Sequence, residues 1–183
     1  PYYKSINMFC AILLLCLGTV PITHAHLIFD FGKDKSGTDW GIINDGVMGG
    51  LSQGTFELND NSLVFRGNVS LDNNGGFTSV KSPFHPLDIS EAHQVKVRWR
   101  SQGHTISLTL ETSQAFYLPN FKIQLPPSEA WQERTIPLAD FKAYQMGRPT
   151  GNTLLPEDQA RAIRVGFITE KKKGDFEFEI DYV

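Results

Sequence analysis

Residues 94–100 read QVKVRWR, an unbroken alternation of polar and apolar side chains. A period of two places Val95, Val97 and Trp99 on one face and Lys96 and Arg98 on the other, the pattern of a strand with one dry and one wet side. Residues 104–110 (HTISLTL) repeat it through Ile106, Leu108 and Leu110. Residues 175–183 (DFEFEIDYV) do so through Phe176, Phe178 and Ile180, with Glu177, Glu179 and Asp181 turned outward. Ser101-Gln102-Gly103 reads as a hairpin turn between the first two segments, and Asn59-Asp60-Asn61 as a second tight turn. Further strands are expected at residues 27–31, 54–58, 62–66, 77–81, 115–118, 121–125, 131–136 and 163–169. The one helical turn, residues 156–162 (PEDQARA), is too short to define an architecture. Short strands with turn signals every 8–12 residues predict an all-β domain, a β-sandwich or jelly roll.

The N-terminal stretch has a different character. Residues 9–20 (FCAILLLCLGTV) are apolar, Lys4 precedes them, and small residues Thr23 and Ala25 follow. That layout is a secretory signal cut after Ala25, and a run of about 12 apolar residues is shorter than the roughly 20 a permanent span needs. The expectation is a removed segment 1–25, one domain over 26–183, and a periplasmic or secreted location, with no membrane contact beyond the signal. Both cysteines, Cys10 and Cys16, precede the cut, so the remainder cannot form a disulfide or use a thiolate. Lipid attachment at Cys16 is disfavoured by Leu15, which stands where a small residue is needed. The chain has 17 basic and 20 acidic residues, and Lys171-Lys172-Lys173 is the one basic run. No stripe tracks phosphates, which argues against a nucleic-acid partner.

Two glycine-rich loops stand out: Asn44-Asp45-Gly46-Val47-Met48-Gly49-Gly50, and Asn73-Asn74-Gly75-Gly76-Phe77. Glycine admits left-handed backbone and close approach, while Asn and Asp hold turns through local hydrogen bonds. As a recognition surface, the loops would offer backbone amides, the polar side chains of Asn44, Asp45 and Asn74, and the apolar ones of Met48 and Phe77. As architecture, both are tight turns with Met48 and Phe77 facing the core. Neither stretch fits a nucleotide loop or opens a helix that would receive phosphate.

Around these loops the sequence resembles a known family. NDGVMGG with a serine two residues on (Asn44 to Ser52), then Phe65 to Ser79, Trp131, residues 136–141 (IPLADF), Gly147-Arg148 and the closing Gly174-Asp175-Phe176 resemble the complex I intermediate-associated protein 30 family. The resemblance implies a galactose-binding-like jelly roll and a non-catalytic, protein-binding role. The family's named member assembles respiratory complex I in mitochondria. The apolar N-terminus here is not an Arg- and Ser-rich transit sequence, so the fold transfers better than the assembly role.

The chemistry of the remaining residues supports binding over catalysis. His26, His85, His93 and His104 show no metal-ligand spacing, and no cofactor or metal site is expected. His104 opens a strand and is expected to face solvent or cap the hairpin. Carbohydrate is the rival ligand: Trp40, Trp131, Phe116, Tyr117 and Tyr144 could stack on sugar rings, although burial of Trp131 is the commoner outcome. Arg148 could clamp a carboxylate or tie its own loop to a carbonyl. The binding residues expected are therefore Asn44, Asp45, Met48, Gly49, Gly50, Asn73, Asn74, Gly75, Gly76, Phe77, Trp131 and Arg148. A protein partner comes first, a carbohydrate second, and an enzyme of unknown type third. A coplanar exposed aromatic pair would favour sugar, and an apolar patch around Met48 and Phe77 would favour protein.

Overall fold

The alternating segments pair into two antiparallel sheets that share one apolar core. The computed structural model describes residues 28–32 and 36–183, and the expected leader lies outside them. In chain order the strands are β1 Gly41–Asn44, β2 Gln53–Leu58, β3 Leu63–Val69, β4 Thr78–Lys81, β5 Gln94–Gln102 and β6 Ile106–Glu111. They continue with β7 Asn120–Leu125, β8 Ser128–Pro137, β9 Lys142–Gln145, β10 Arg148–Thr153, β11 Arg164–Thr169 and β12 Gly174–Tyr182. One sheet runs β1-β4-β11-β6-β7-β9-β10 and the other β2-β3-β12-β5-β8. A single helical turn, α1 Pro156–Gln159, precedes β11.

The period-two pattern decides which side chains enter the core. Val97 and Trp99 of β5, Ile106, Leu108 and Leu110 of β6, and Phe176, Phe178 and Ile180 of β12 are all buried. Phe167 of β11 meets Phe178 of β12 across the two layers, with ring centroids 5.1 Å apart. Trp40 closes one end against Phe31 and Phe167. Each such side chain removed from water contributes about 1.5–3 kcal/mol.

The expected hairpin at residues 101–103 does not form. β5 pairs with β12 and β8, whereas β6 pairs with β11 and β7, so the chain crosses from one sheet to the other. Alternation makes either arrangement possible, because two strands bury their apolar faces as well across a core as side by side. Gly103 turns that corner at φ 84, where a Cβ would strike the Asp175 carbonyl. The turn at residues 59–61 does close a hairpin: Leu58 faces Leu63, and Asn59 N–H donates to the Ser62 carbonyl at 2.8 Å.

Two expected strands are absent. Residues 115–118 make a turn, with Leu118 N–H donating to the Ala115 carbonyl. Residues 28–31 form no regular strand but run beside the chain end, where Phe29 and Val183 exchange backbone hydrogen bonds and Phe31 N–H donates to the Asp181 carbonyl around the Asp30–Tyr182 bridge. Conversely, β1 contains Gly41, β10 contains Pro149 and Gly151, and β9 is only four residues long, so neighbouring strands rather than local pattern bring them into the sheet.

Candidate functional site

The two glycine loops meet, and Asp45 joins them. Asp45 opens a short 3₁₀ turn, Asp45–Met48, and its side chain is fully buried. Its carboxylate accepts N–H groups from Ser52 (2.9 Å), Gly76 (2.6 Å) and Phe77 (3.2 Å), and the Ser52 hydroxyl (2.5 Å). Burial alone would raise this carboxyl's pKa, but the hydroxyl and the three amides outweigh it and hold the group below its ordinary value. A Cβ on Gly50 would overlap the carboxylate, and one on Gly75 would lie 2.6 Å from Oδ2. The glycines therefore make room for the aspartate.

This arrangement leaves few polar groups of the first loop for a ligand. Asn44 Oδ1 accepts the Thr78 hydroxyl at 2.5 Å and the Gly54 N–H at 3.2 Å. Phe77 is half-buried, while Asn73 and Asn74 sit exposed in left-handed backbone at φ 53 and 61. Met48 is exposed, as are Val47 and Leu51 on the same loop and Leu71 ahead of the second loop.

Trp131 and Arg148 lie on other elements. Trp131 is half-buried on the outer face of the five-stranded sheet, with the Arg98 and Arg100 guanidiniums 4.6 and 5.1 Å from its ring centre. The ring is therefore partly covered by cations. A broad hollow beside it is lined by Lys96, Arg98, Arg100 and Asp181. Those charges are matched within the sheet, Arg98 with Asp181, Arg100 with Glu179 and Lys96 with Glu133. Arg148 opens β10 opposite Gln145 and is exposed. His104 does not face solvent: it is buried against Phe176, and neither ring nitrogen has a hydrogen-bond partner among the described residues. Burial, helped by the Lys172 charge, lowers its pKa, and the nearby Gly174 and Glu170 backbone only tempers the shift.

A second polar surface lies on the outer face of the seven-stranded sheet. The alternation that sends Ile106, Leu108 and Leu110 inward turns Ser107, Thr109 and Glu111 outward. Register extends these into rows across the strands. One row reads Arg164, Glu111, Asn120, Tyr144, and the next Lys81, Gly166, Thr109, Lys122, Lys142. Four of the ionisable side chains are recessed, Lys81, Lys122 and Arg164 each 15% exposed and Glu111 13%, while Lys142 is exposed. Lys81 and Glu111 pair at 2.5 Å, and Lys122 pairs with Glu170 at 2.9 Å while lying 4.2 Å from the centre of the Tyr144 ring. Ser107 also donates to Glu170. The Thr109 hydroxyl is buried without a hydrogen-bond partner among the described residues.

Aromatic side chains border this face. Phe84 stacks on the Arg164 guanidinium at 4.3 Å. At the Tyr144 end, Gln145 donates to the Tyr117 carbonyl, and Phe116 and Tyr117 are exposed. Their rings are perpendicular at 82°, so they do not make the coplanar platform that the sequence left open. Of the residues on this face, sequence reasoning singled out Tyr144 alone. The outward positions of residues 104–110 and 121–125 signalled Ser107, Thr109 and Lys122, whereas Lys81, Glu111, Asn120, Lys142 and Arg164 join them only through strand register.

The profile of the complex I intermediate-associated protein 30 family matches residues 29–180. A search of curated proteins returns no significant match. Among solved structures, the chain is similar to the family 11 carbohydrate-binding module of a cellulosomal cellulase of Clostridium thermocellum, with a TM-score of 0.61 and 15% identity over 86% of this chain and 94% of that one. The family 11 module from the same organism in complex with a β-1,3-1,4-mixed-linked tetrasaccharide gives 0.57 and 17% over 84% and 93%. An agarase gives 0.55 and 13% over 86% of this chain and 24% of its own. At these identities the likeness establishes the fold, a galactose-binding-like β-sandwich.

Proposed function

The chain belongs to the complex I intermediate-associated protein 30 family, and from that premise we propose that it is a non-catalytic binding domain taking a saccharide on the outer face of its seven-stranded sheet. The observation that carries this reading is the row Arg164, Glu111, Asn120, Tyr144. It sets a cation, a carboxylate, an amide and an aromatic ring side by side at the strand spacing of about 4.8 Å. Sugar hydroxyls both donate and accept, so a floor mixing donors and acceptors suits them better than an apolar groove or a field of one sign. The fold's likeness to a module solved with a tetrasaccharide gives independent support. The export reading of residues 1–25 belongs to the same proposal and puts the domain in the periplasm or outside the cell.

Calorimetric titration with a panel of defined oligosaccharides tests this. Binding that weakens several-fold in Tyr144→Ala and Glu111→Gln, both shown to be folded, is the expected result. Binding indifferent to both changes would place the ligand elsewhere.

A second reading, protein docking, rests on Val47, Met48 and Leu51, which are 79%, 61% and 56% exposed beside the Asp45 junction. Exposed apolar side chains gathered on one loop are a mark of a protein-contact surface. Affinity capture comparing wild type with a Met48→Ser, Leu51→Ser double variant tests it. A partner lost in that variant would support docking, and one retained would argue against it.

A further inference from the structure

Lys122 and Lys142 stand directly opposite each other on β7 and β9, on the outer face of the seven-stranded sheet. Like charges in facing positions destabilise a strand pair. Here the Glu170 carboxylate and the Tyr144 ring engage Lys122, while Lys142 is exposed and has no ion pair among the described residues. The imbalance extends over the whole face. Among the described residues, the ion pairs of Lys81, Lys122, Lys142 and Arg164 are made only with Glu111 and Glu170. The surplus is local, because the chain as a whole carries a net charge of −3. The outer face of the other sheet has no such imbalance at its centre, where arginines and carboxylates alternate in pairs. In the same row, opposite Lys122, the Thr109 hydroxyl is buried and has no hydrogen-bond partner among the described residues.

From this we infer that the saccharide bound on this face is acidic, with an anionic substituent, carboxylate or sulfate, seated between Lys122 and Lys142. The inference rests on the saccharide reading above and adds the ligand's charge. An anion at that point relieves the repulsion between the two ammonium groups and receives charge-assisted hydrogen bonds from both. The recessed setting of Lys122 shields the contact from solvent more than an exposed pair would be, which strengthens it. The row of Arg164, Glu111, Asn120 and Tyr144 then holds the neutral part of the sugar chain. Charge selects the ligand, and the polar row orients it.

The test is titration of the whole chain with three oligosaccharide probes of matched length: a neutral β-1,3-1,4-glucan, a polygalacturonate and a sulfated galactan. Wild type and Lys142→Gln are compared at low and at raised salt. Lys142 is exposed, so the variant is expected to keep the wild-type melting temperature. The expected result is that at least one acidic probe binds about tenfold more tightly than the neutral one, and that Lys142→Gln and added salt remove this margin. Neutral binding should not change in the variant. Which acidic probe binds distinguishes carboxylate from sulfate. Equal affinity for neutral and acidic probes, with Lys142→Gln silent, would overturn the inference while leaving the saccharide reading intact. No binding of any probe would overturn both.

Discussion

The Gly76 N–H points at Asp45 Oδ2 across 2.6 Å, although the two residues stand 31 positions apart in the chain. That bond, with those from Phe77 and Ser52, makes one buried carboxylate the junction of both glycine loops. The signature that identifies the family in the sequence is thus first a piece of architecture, with Gly50 and Gly75 kept bare so that the carboxylate fits. The exposed residues around it are free to serve a partner without disturbing the junction.

Removing the carboxylate should cost the fold heavily. Asp45→Ala leaves several buried donors without an acceptor, worth about 3 kcal/mol, or a drop in melting temperature of about 6–12 °C. Acid titration gives a second readout. The folded pKa is depressed, so Asp45 contributes its full stabilisation above the ordinary carboxylate value of about 3.9 and loses it as pH falls through the lower folded value. Asp45→Asn should flatten that acid limb. An unchanged acid transition would show that the junction contributes little.

The glycines separate two mechanisms. Gly49 has φ 86 with open space at its Cβ position, so Gly49→Ala should cost only the left-handed penalty of about 1 kcal/mol. Gly50 lacks the positive φ, but its Cβ would collide with Asp45, so Gly50→Ala should cost more, about 2–3 kcal/mol. Chemical denaturation of the two variants gives the ranking directly. The reverse order would mean that the loop relaxes around Asp45.

His104 should make the fold acid-sensitive at milder pH. Its folded pKa is lowered, so both folded and unfolded chains are neutral above about 6.5 and no penalty arises there. As pH falls below that value the unfolded chain takes up a proton first, and stability declines until the folded value is passed. Replacing His104 with Leu, which suits the apolar contact with Phe176, should reduce the fall in melting temperature between pH 7.5 and 5.5. An equal fall in both proteins would assign the sensitivity to other groups.

Trp131 should be silent in saccharide binding. Arg98 and Arg100 lie over its ring, and it sits on the opposite side of the sandwich from the proposed site. Trp131→Ala is expected to leave oligosaccharide affinity unchanged, measured by the same calorimetry. A large loss would move the site to the five-stranded sheet.

Much of the fold was legible because alternation is a local signal. Val97, Trp99, Leu108 and Phe178 announce their burial within their own strands. Strand pairing is not local, which is why β5 and β6 read as a hairpin yet lie in different sheets. The site was harder for the same reason. Glu111, Asn120 and Tyr144 are scattered along the chain, and only the register of β6, β7 and β9 puts them in one row. Asp45 was visible as part of a motif, but its burial depends on Gly76 and Phe77, which no local pattern connects to it. His104 shares the parity of Ile106 and Leu108 and is buried with them against Phe176; the expectation that it faces solvent or caps a hairpin failed because β5 and β6 form no hairpin.

The most direct test of the saccharide reading is backbone amide chemical-shift mapping during titration with the oligosaccharide that binds best. The expected result is a contiguous set of perturbed amides at Thr109, Glu111, Asn120, Lys122, Lys142 and Tyr144, with the Asp45 to Leu51 loop unmoved. Perturbations confined to residues 45–51 and 71–77, or to the outer face around Trp131, would contradict it.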